Sequence, residues 1–157
     1  MSEKNNRELT LVREFDAPRE LVFKAWTDPT LVEQWWGPLG VSNPVCEVDA
    51  RPGGKINIVM LAGEELGQLK GQRWPMEGTF REVNSPEKLV FTSSAIIDGK
   101  PIMDTIVTVI LEDLSSKTRQ TVRIVVTRLT PEAAGPLSGV EMGWNQTLDK
   151  LGEFVKK

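Results

Sequence analysis

The feature that most constrains the fold is a change of apolar period late in the chain. From Val45 to Arg128 the sequence consists of short alternating segments separated by turn residues, which is typical of strands. Beyond them the apolar residues recur at helical spacing, at Val140, Trp144, Leu148, Leu151 and Val155. A run of strands followed by one long amphipathic helix predicts an α+β domain, in which a curved antiparallel sheet wraps around the C-terminal helix.

Two short helices are predicted after a first strand at residues 8–15. Asp16-Ala17-Pro18 and Asp28-Pro29 each combine a proline, which the first helical turn tolerates, with an aspartate that can accept hydrogen bonds from free N–H groups. Gly37-Pro38 ends the second helix. Ser138-x-x-Glu141 has the pattern of a capping box and predicts the start of the long C-terminal helix.

The remaining strands are predicted from alternation and turn chemistry, at 45–50, 55–60, 76–83, 89–93, 102–111 and 122–128. A long hairpin loop is expected over 62–72, and Asp98-Gly99 is the strongest hairpin signal. The total is about six to seven strands, within the usual range for a sheet. We expect one domain over 8–157, preceded by a disordered tail over 1–7.

The composition excludes several classes of site. The chain has no histidine and no tyrosine, so it cannot form a Ser-His-Asp triad or a histidine-ligated metal site. Cys46 is the only cysteine and is predicted to be a small apolar residue in a strand, not a reactive thiol, because no histidine can activate it. We therefore predict no metal and no cofactor.

Charge and hydropathy exclude two kinds of partner. The net charge is −3 and the two signs are interspersed, so we do not expect nucleic-acid binding. No apolar run approaches the ~18 residues that a membrane span requires. The expectation is a soluble, cytoplasmic protein.

Several motifs resemble one known superfamily. They are Phe15-x-Ala17-Pro18-x-x-x-Val22-Phe23-x-Ala25-Trp26-Thr27-Asp28-Pro29, Trp35-Trp36-Gly37-Pro38, Pro52-Gly53-Gly54, Gly78 with Phe80, and Gly143-Trp144. In this order they are similar to the START-like (SRPBCC, helix-grip) superfamily, in the branch named for the activator of heat-shock-protein-90 ATPase. The resemblance implies a seven-stranded sheet gripping the helix around a cavity that relatives use for lipids, sterols, polyketides or aromatic molecules. It supplies no shared catalytic motif, so no catalytic residue is assigned.

Eight residues are candidates for contact with a ligand in that cavity: Trp36, Met60, Trp74, Met76, Met103, Asp104, Trp144 and Leu148. Aromatic and methionine side chains suit an adaptable apolar lining, but the same residues also serve ordinary core packing. Asp104 is flanked by apolar residues; its carboxylate either points into the cavity or lies in water at the end of its strand.

Three functions remain open. The first is binding of a small hydrophobic or aromatic molecule. The second is a cyclase- or hydrolase-type enzyme that uses a cavity carboxylate such as Asp104 or Glu77, since histidine and tyrosine are missing. The third, suggested by the name of the branch, is a co-chaperone-like contact with a partner protein. A homodimer is also plausible.

Overall fold

Residues 8–130 and 140–156 are described by the structure, a computed structural model, and they form a seven-stranded antiparallel sheet and three α-helices. The strands are β1 (Glu8–Phe15), β2 (Val41–Val48), β3 (Lys55–Ala62), β4 (Arg73–Asn84), β5 (Lys88–Ile97), β6 (Lys100–Asp113) and β7 (Thr118–Leu129). The helices are α1 (Arg19–Thr27), α2 (Pro29–Trp35) and α3 (Val140–Val155). The order of the strands in the sheet is β1-β7-β6-β5-β4-β3-β2, which leaves β1 and β2 as the two edge strands.

The two short helices begin differently. Asp28 caps α2 as predicted, because its Oδ1 accepts a hydrogen bond of 3.0 Å from the N–H of Thr30 and Pro29 occupies the first turn. In α1 the N-cap residue is Pro18, which has no side-chain acceptor, and no side chain caps this helix. The predicted capping role of Asp16 is therefore wrong: the helix begins at Arg19, too far along the chain for Asp16 to be its N-cap.

The turns follow the local chemistry of the sequence. Asp98 and Gly99 both have positive φ, 53° and 77°, as the tightest hairpin turn between twisted strands requires. The loop between β3 and β4 contains 3₁₀ turns over Glu64–Leu69. Strand β2 begins four residues earlier than predicted, at Val41, and includes Pro44. An edge strand accepts proline because one of its sides makes no hydrogen bonds to a neighbouring strand. Pro44 also lies within the segment from Ser42 to Val45 where the pairing of β2 with β3 shifts register.

The concave face of the sheet carries the core, and all three helices pack against it. The buried apolar residues of this core come from all three helices and from strands β3 to β7: Val22, Phe23, Trp26, Val32, Trp35, Ile58, Phe80, Phe91, Val107, Val109, Val122, Ile124, Leu148, Leu151 and Val155. Along β6 and β7 the alternate residues are buried and those between them are more exposed, as expected for a sheet with one covered face. This arrangement confirms the predicted α+β helix-grip fold. Residues 1–7 and Ser138 of the predicted capping box lie outside the described residues.

Candidate functional site

Six aromatic side chains form one cluster on the concave face: Trp26, Trp35, Trp36, Phe80, Phe91 and Trp144. Trp26 lies at its centre, with ring centroids 4.8 Å from Trp35, 6.2 Å from Phe91 and 6.5 Å from both Trp36 and Trp144. The rings of Trp26 and Trp144 are inclined by only 23°, whereas Trp36 stands at 82° and 80° to them. Edge-to-face pairs of this kind stabilise aromatic clusters beyond the area that they bury. The cluster is thus a packed wall that joins α1, α2 and α3 to β4 and β5.

The buried indole N–H groups of this cluster have partners. Trp35 Nε1 donates to the carbonyl oxygen of Ala25 at 3.0 Å, which ties the two short helices together. Trp26 Nε1 donates to Oε1 of Gln120 on β7 at 2.7 Å. A buried N–H group without an acceptor destabilises the fold, so each ring is held in the orientation that keeps its hydrogen bond.

A second group of residues lies on the sheet beside this cluster; we call Met60, Trp74, Met76, Ala95 and Met103 the methionine patch. The strand register makes neighbours of Met60 and Trp74, of Met76 and Ala95, and of Ala95 and Met103. Met76 is buried, and the other four side chains are half-buried. Four of the eight candidate residues are therefore adjacent on one face of the sheet.

The methionine patch lies close to Gly37, the residue after Trp36. A Cβ atom at Gly37 would lie 2.7 Å from Sδ of Met60, so Met60 packs against the backbone there. Trp36 is 8% exposed, Leu148 on α3 is completely buried and Trp144 is half-buried. Seven of the eight candidates thus lie on the concave side: four in the methionine patch, two in the aromatic cluster, and Leu148 in the core on α3.

Asp104 is the exception. Alternation along β6 places it on the convex face, opposite its neighbours Met103 and Thr105, and its Oδ1 accepts a hydrogen bond of 2.7 Å from Ser94 Oγ. Its other carboxylate oxygen lies 3.7 Å from Arg128 Nη1. This placement contradicts the predicted ligand contact, so Asp104 is not part of the site. Glu77, the second carboxylate considered for catalysis, pairs with Ser94 in the register and lies on the same convex face.

Three polar residues on or near the concave side were not among the candidates. Arg13 is half-buried; its Nη2 donates to Asn145 Oδ1 at 2.7 Å, and its guanidinium also pairs with Asp149. Lys150 Nζ donates to the carbonyl oxygen of Pro38 at 3.3 Å, and burial lowers the pKa of this amine. Gln120 is completely buried. The sequence signal that could have identified two of these residues is strand alternation, since Arg13 and Gln120 each occupy an inward-facing position in an alternating strand.

A groove of about 380 Å³ runs along the outer side of this region, between β1 and α3. Phe15, Leu148 and Gly152 provide its apolar lining, and the charged lining residues include Arg13 and Asp149. Its mixed lining differs from the apolar cavity that the family resemblance implies.

Cys46 packs against the core on the edge strand β2 and is half-buried. Loss of hydration on burial, with a smaller contribution from the charge of Glu33, raises the pKa of the Cys46 thiol to about 11. At pH 8 only about one thousandth of the folded protein then carries the reactive thiolate. We expect a thiol reagent at pH 8 to label the folded protein about a hundredfold more slowly than the urea-unfolded protein.

The reaction of the folded protein should accelerate about tenfold per pH unit up to pH 11, and a rate equal to that of the unfolded chain at pH 8 would contradict this assignment. The fold favours the neutral thiol. Its stabilising contribution is therefore present below pH 9 and is lost as the pH rises from there to about 11.

None of the helices in the described residues is long and apolar enough to cross a membrane. Within residues 8–130 and 140–156, no group of three or more acidic or cysteine side chains is placed to hold a metal ion.

Comparison with known proteins places this fold among its relatives. The family model described as "Activator of Hsp90 ATPase homolog 1-like protein" matches residues 16–156. No curated protein matches the chain.

Solved structures match over nearly the full length. An X-ray structure of a protein from Chromobacterium violaceum is 29% identical, with a TM-score of 0.82, and the match covers 97% of this chain and 99% of that one. A protein from Nitrosomonas europaea is 31% identical, with a TM-score of 0.77, over 95% and 94% of the two chains. The AHSA1 protein from Silicibacter pomeroyi is 28% identical, with a TM-score of 0.76, over 93% and 95%.

Proposed function

The chain belongs to the family of activator of Hsp90 ATPase homolog 1-like proteins, and from that fold and the site above we propose that it binds a small hydrophobic or aromatic molecule between the sheet and α3. The observation that carries the proposal is the methionine patch. Four of its five side chains are only partly covered, although they lie on the face of the sheet that holds the core.

The chemistry of the patch suits such a ligand. Met60, Met76 and Met103 offer flexible, polarisable side chains that adapt to the shape of an apolar molecule. Trp74 adds a flat apolar surface, and its Nε1 donates to Gln72 Oε1 at 3.2 Å, which holds the ring. In the proposed site the rigid aromatic cluster forms the fixed wall, and the methionine patch beside it forms the adaptable wall.

The other proposed functions have weaker support. An enzyme of the type considered needs an inward carboxylate, and both Asp104 and Glu77 lie on the convex face. For a co-chaperone-like contact, the support is the family description. A cytoplasmic location, a chaperone partner and a homodimer remain predictions from the sequence.

The test is titration with the apolar fluorescent probe N-phenylnaphthylamine, with tryptophan fluorescence as a second signal. Ala95→Phe adds a ring in the middle of the methionine patch, and we expect it to weaken probe binding at least about tenfold. Val90→Phe is the matched control, because Val90 is on the same strand but pairs with Thr108 on the convex face; its affinity should stay within about twofold. Absence of binding to the wild type, or equal losses in both variants, would overturn the proposal.

A further inference from the structure

The two edge strands of the sheet differ in how readily they can pair with a further strand. Strand β2 contains Pro44, its pairing shifts register between Ser42 and Val45, and α2 packs against it. Strand β1, in contrast, has no proline, and all of its residues, Glu8–Phe15, pair with β7 without a register shift. An edge strand turns every second backbone N–H and C=O away from its one neighbour. The outer side of β1 is therefore a regular row of hydrogen-bonding groups.

The groove between β1 and α3 runs beside this edge. Its volume of about 380 Å³ falls within the range of about 300–1,000 Å³ that is usual for ligand sites. Phe15 is a buried apolar part of its lining, and a Cβ atom at residue Gly152 would lie 3.2 Å from Cε1 of that ring. A strand added to β1 would lie about 4.8 Å from it, and alternate side chains of the added strand would point toward the groove.

The charge of the lining favours a basic occupant. Carboxylates outnumber cations by four to two: Glu14, Asp16, Asp149 and Glu153 against Arg13 and Lys156. The guanidinium of Arg13 is already engaged by Asp149 and Asn145. The Glu153 side chain is 78% exposed and lies 3.7 Å from Lys156, and a surface ion pair of this kind contributes about 1 kcal/mol or less. Glu153 therefore remains available to a second cation.

We propose that β1 and this groove bind an extended, basic segment of a partner protein by β-strand addition. The backbone of the segment pairs with the outer side of β1. One apolar side chain of the segment lies on Phe15 and Leu148, and a lysine or arginine two residues away, on the same face, lies beside Glu153 or Asp16. This function goes beyond the proposed ligand binding, since no residue of the methionine patch lines the groove.

The probe is the peptide acetyl-KTLTKT-amide, which places a leucine between two lysines on one face and so suits the groove in either strand direction. Its titration into isotope-labelled protein, followed by NMR, gives the dissociation constant and should shift the backbone amide signals of β1 and α3. A peptide with glutamate in place of both lysines should bind at least about tenfold more weakly.

A matched pair of protein variants tests the charge of the groove. Glu153→Lys should weaken binding of the lysine peptide about threefold to tenfold. Glu141→Lys is the control, because Glu141 is exposed on the same helix but does not line the groove, and the affinity should stay within about twofold. Equal losses in the two variants would show that the peptide responds only to the overall charge of the protein, and the proposal would be wrong.

Backbone pairing is tested with two further peptides of the same sequence, N-methylated either at both lysines and the leucine or at the three threonines. Only one of these two sets of N–H groups can face β1. One peptide should therefore lose at least about tenfold in affinity, while the other keeps the parent affinity within about twofold. Equal affinities of the two methylated peptides, or no binding of the parent peptide, would overturn the proposal. So would a dimer, detected by sedimentation, in which a second copy protects the β1 amides from hydrogen exchange.

Discussion

Replacing Gly78 by alanine is expected to lower the free energy of unfolding by roughly 3 kcal/mol or more. Gly78 lies in β4, where the backbone of β5 passes unusually close. A Cβ atom at this position would lie 1.9 Å from the carbonyl oxygen and 2.8 Å from the carbonyl carbon of Thr92. Both are backbone atoms, so no side-chain rotation can relieve the contact, and the two strands must separate. Urea denaturation followed by circular dichroism measures the loss.

Gly143→Ala is the matched control, because the same substitution in α3 meets no atom within 4 Å among the described residues. Alanine is a better helix former than glycine, so this variant should be more stable by about 0.5–1 kcal/mol. The two changes thus have opposite expected signs. Equal effects in both variants would show that the close approach of β4 and β5 is absent in solution.

The parts of the fold that could be predicted from the sequence are those set by local chemistry. Asp98-Gly99 determines its turn because both residues tolerate positive φ, and Asp28-Pro29 determines the start of α2 because the cap and the proline act within one turn. The predictions failed where contacts between distant parts of the chain determine the structure. The strand predicted from Val45 in fact begins at Val41 and includes Pro44, which β2 accepts because it lies at the edge of the sheet; only the complete strand order reveals which strands are edges.

The candidate site shows the same contrast between features set by local sequence and features set by the pairing of distant strands. Trp74 and Met76 are two residues apart, so alternation alone puts them on one face, as found. Alternation also forbids neighbours such as Met103 and Asp104 from facing the same cavity, so the error over Asp104 was avoidable. The adjacency of Met76, Ala95 and Met103 depends on the register of three strands, and the pairing of Trp26 with Gln120 joins residues that are 94 positions apart. Neither could be predicted without the pairing of the strands.

Leu148→Ala is expected to cost about 2–5 kcal/mol of stability. Leu148 was selected as a ligand contact, but its side chain is completely buried and belongs to the main core cluster. Truncation removes apolar contacts and leaves a cavity, and the cost is greatest where the surroundings cannot collapse. Met142, on the same helix and 64% exposed, provides the control: Met142→Ala should change stability by no more than about 0.5 kcal/mol.

The size of the loss at Leu148 also distinguishes two roles for this residue. A leucine that packs on all sides loses contacts in every direction, whereas one that borders an open ligand cavity loses contacts on one side only. A cost near the upper end of the range, unchanged by saturating N-phenylnaphthylamine, therefore assigns Leu148 to the core. If the cost is below about 1 kcal/mol, Leu148 belongs to the wall of the ligand site.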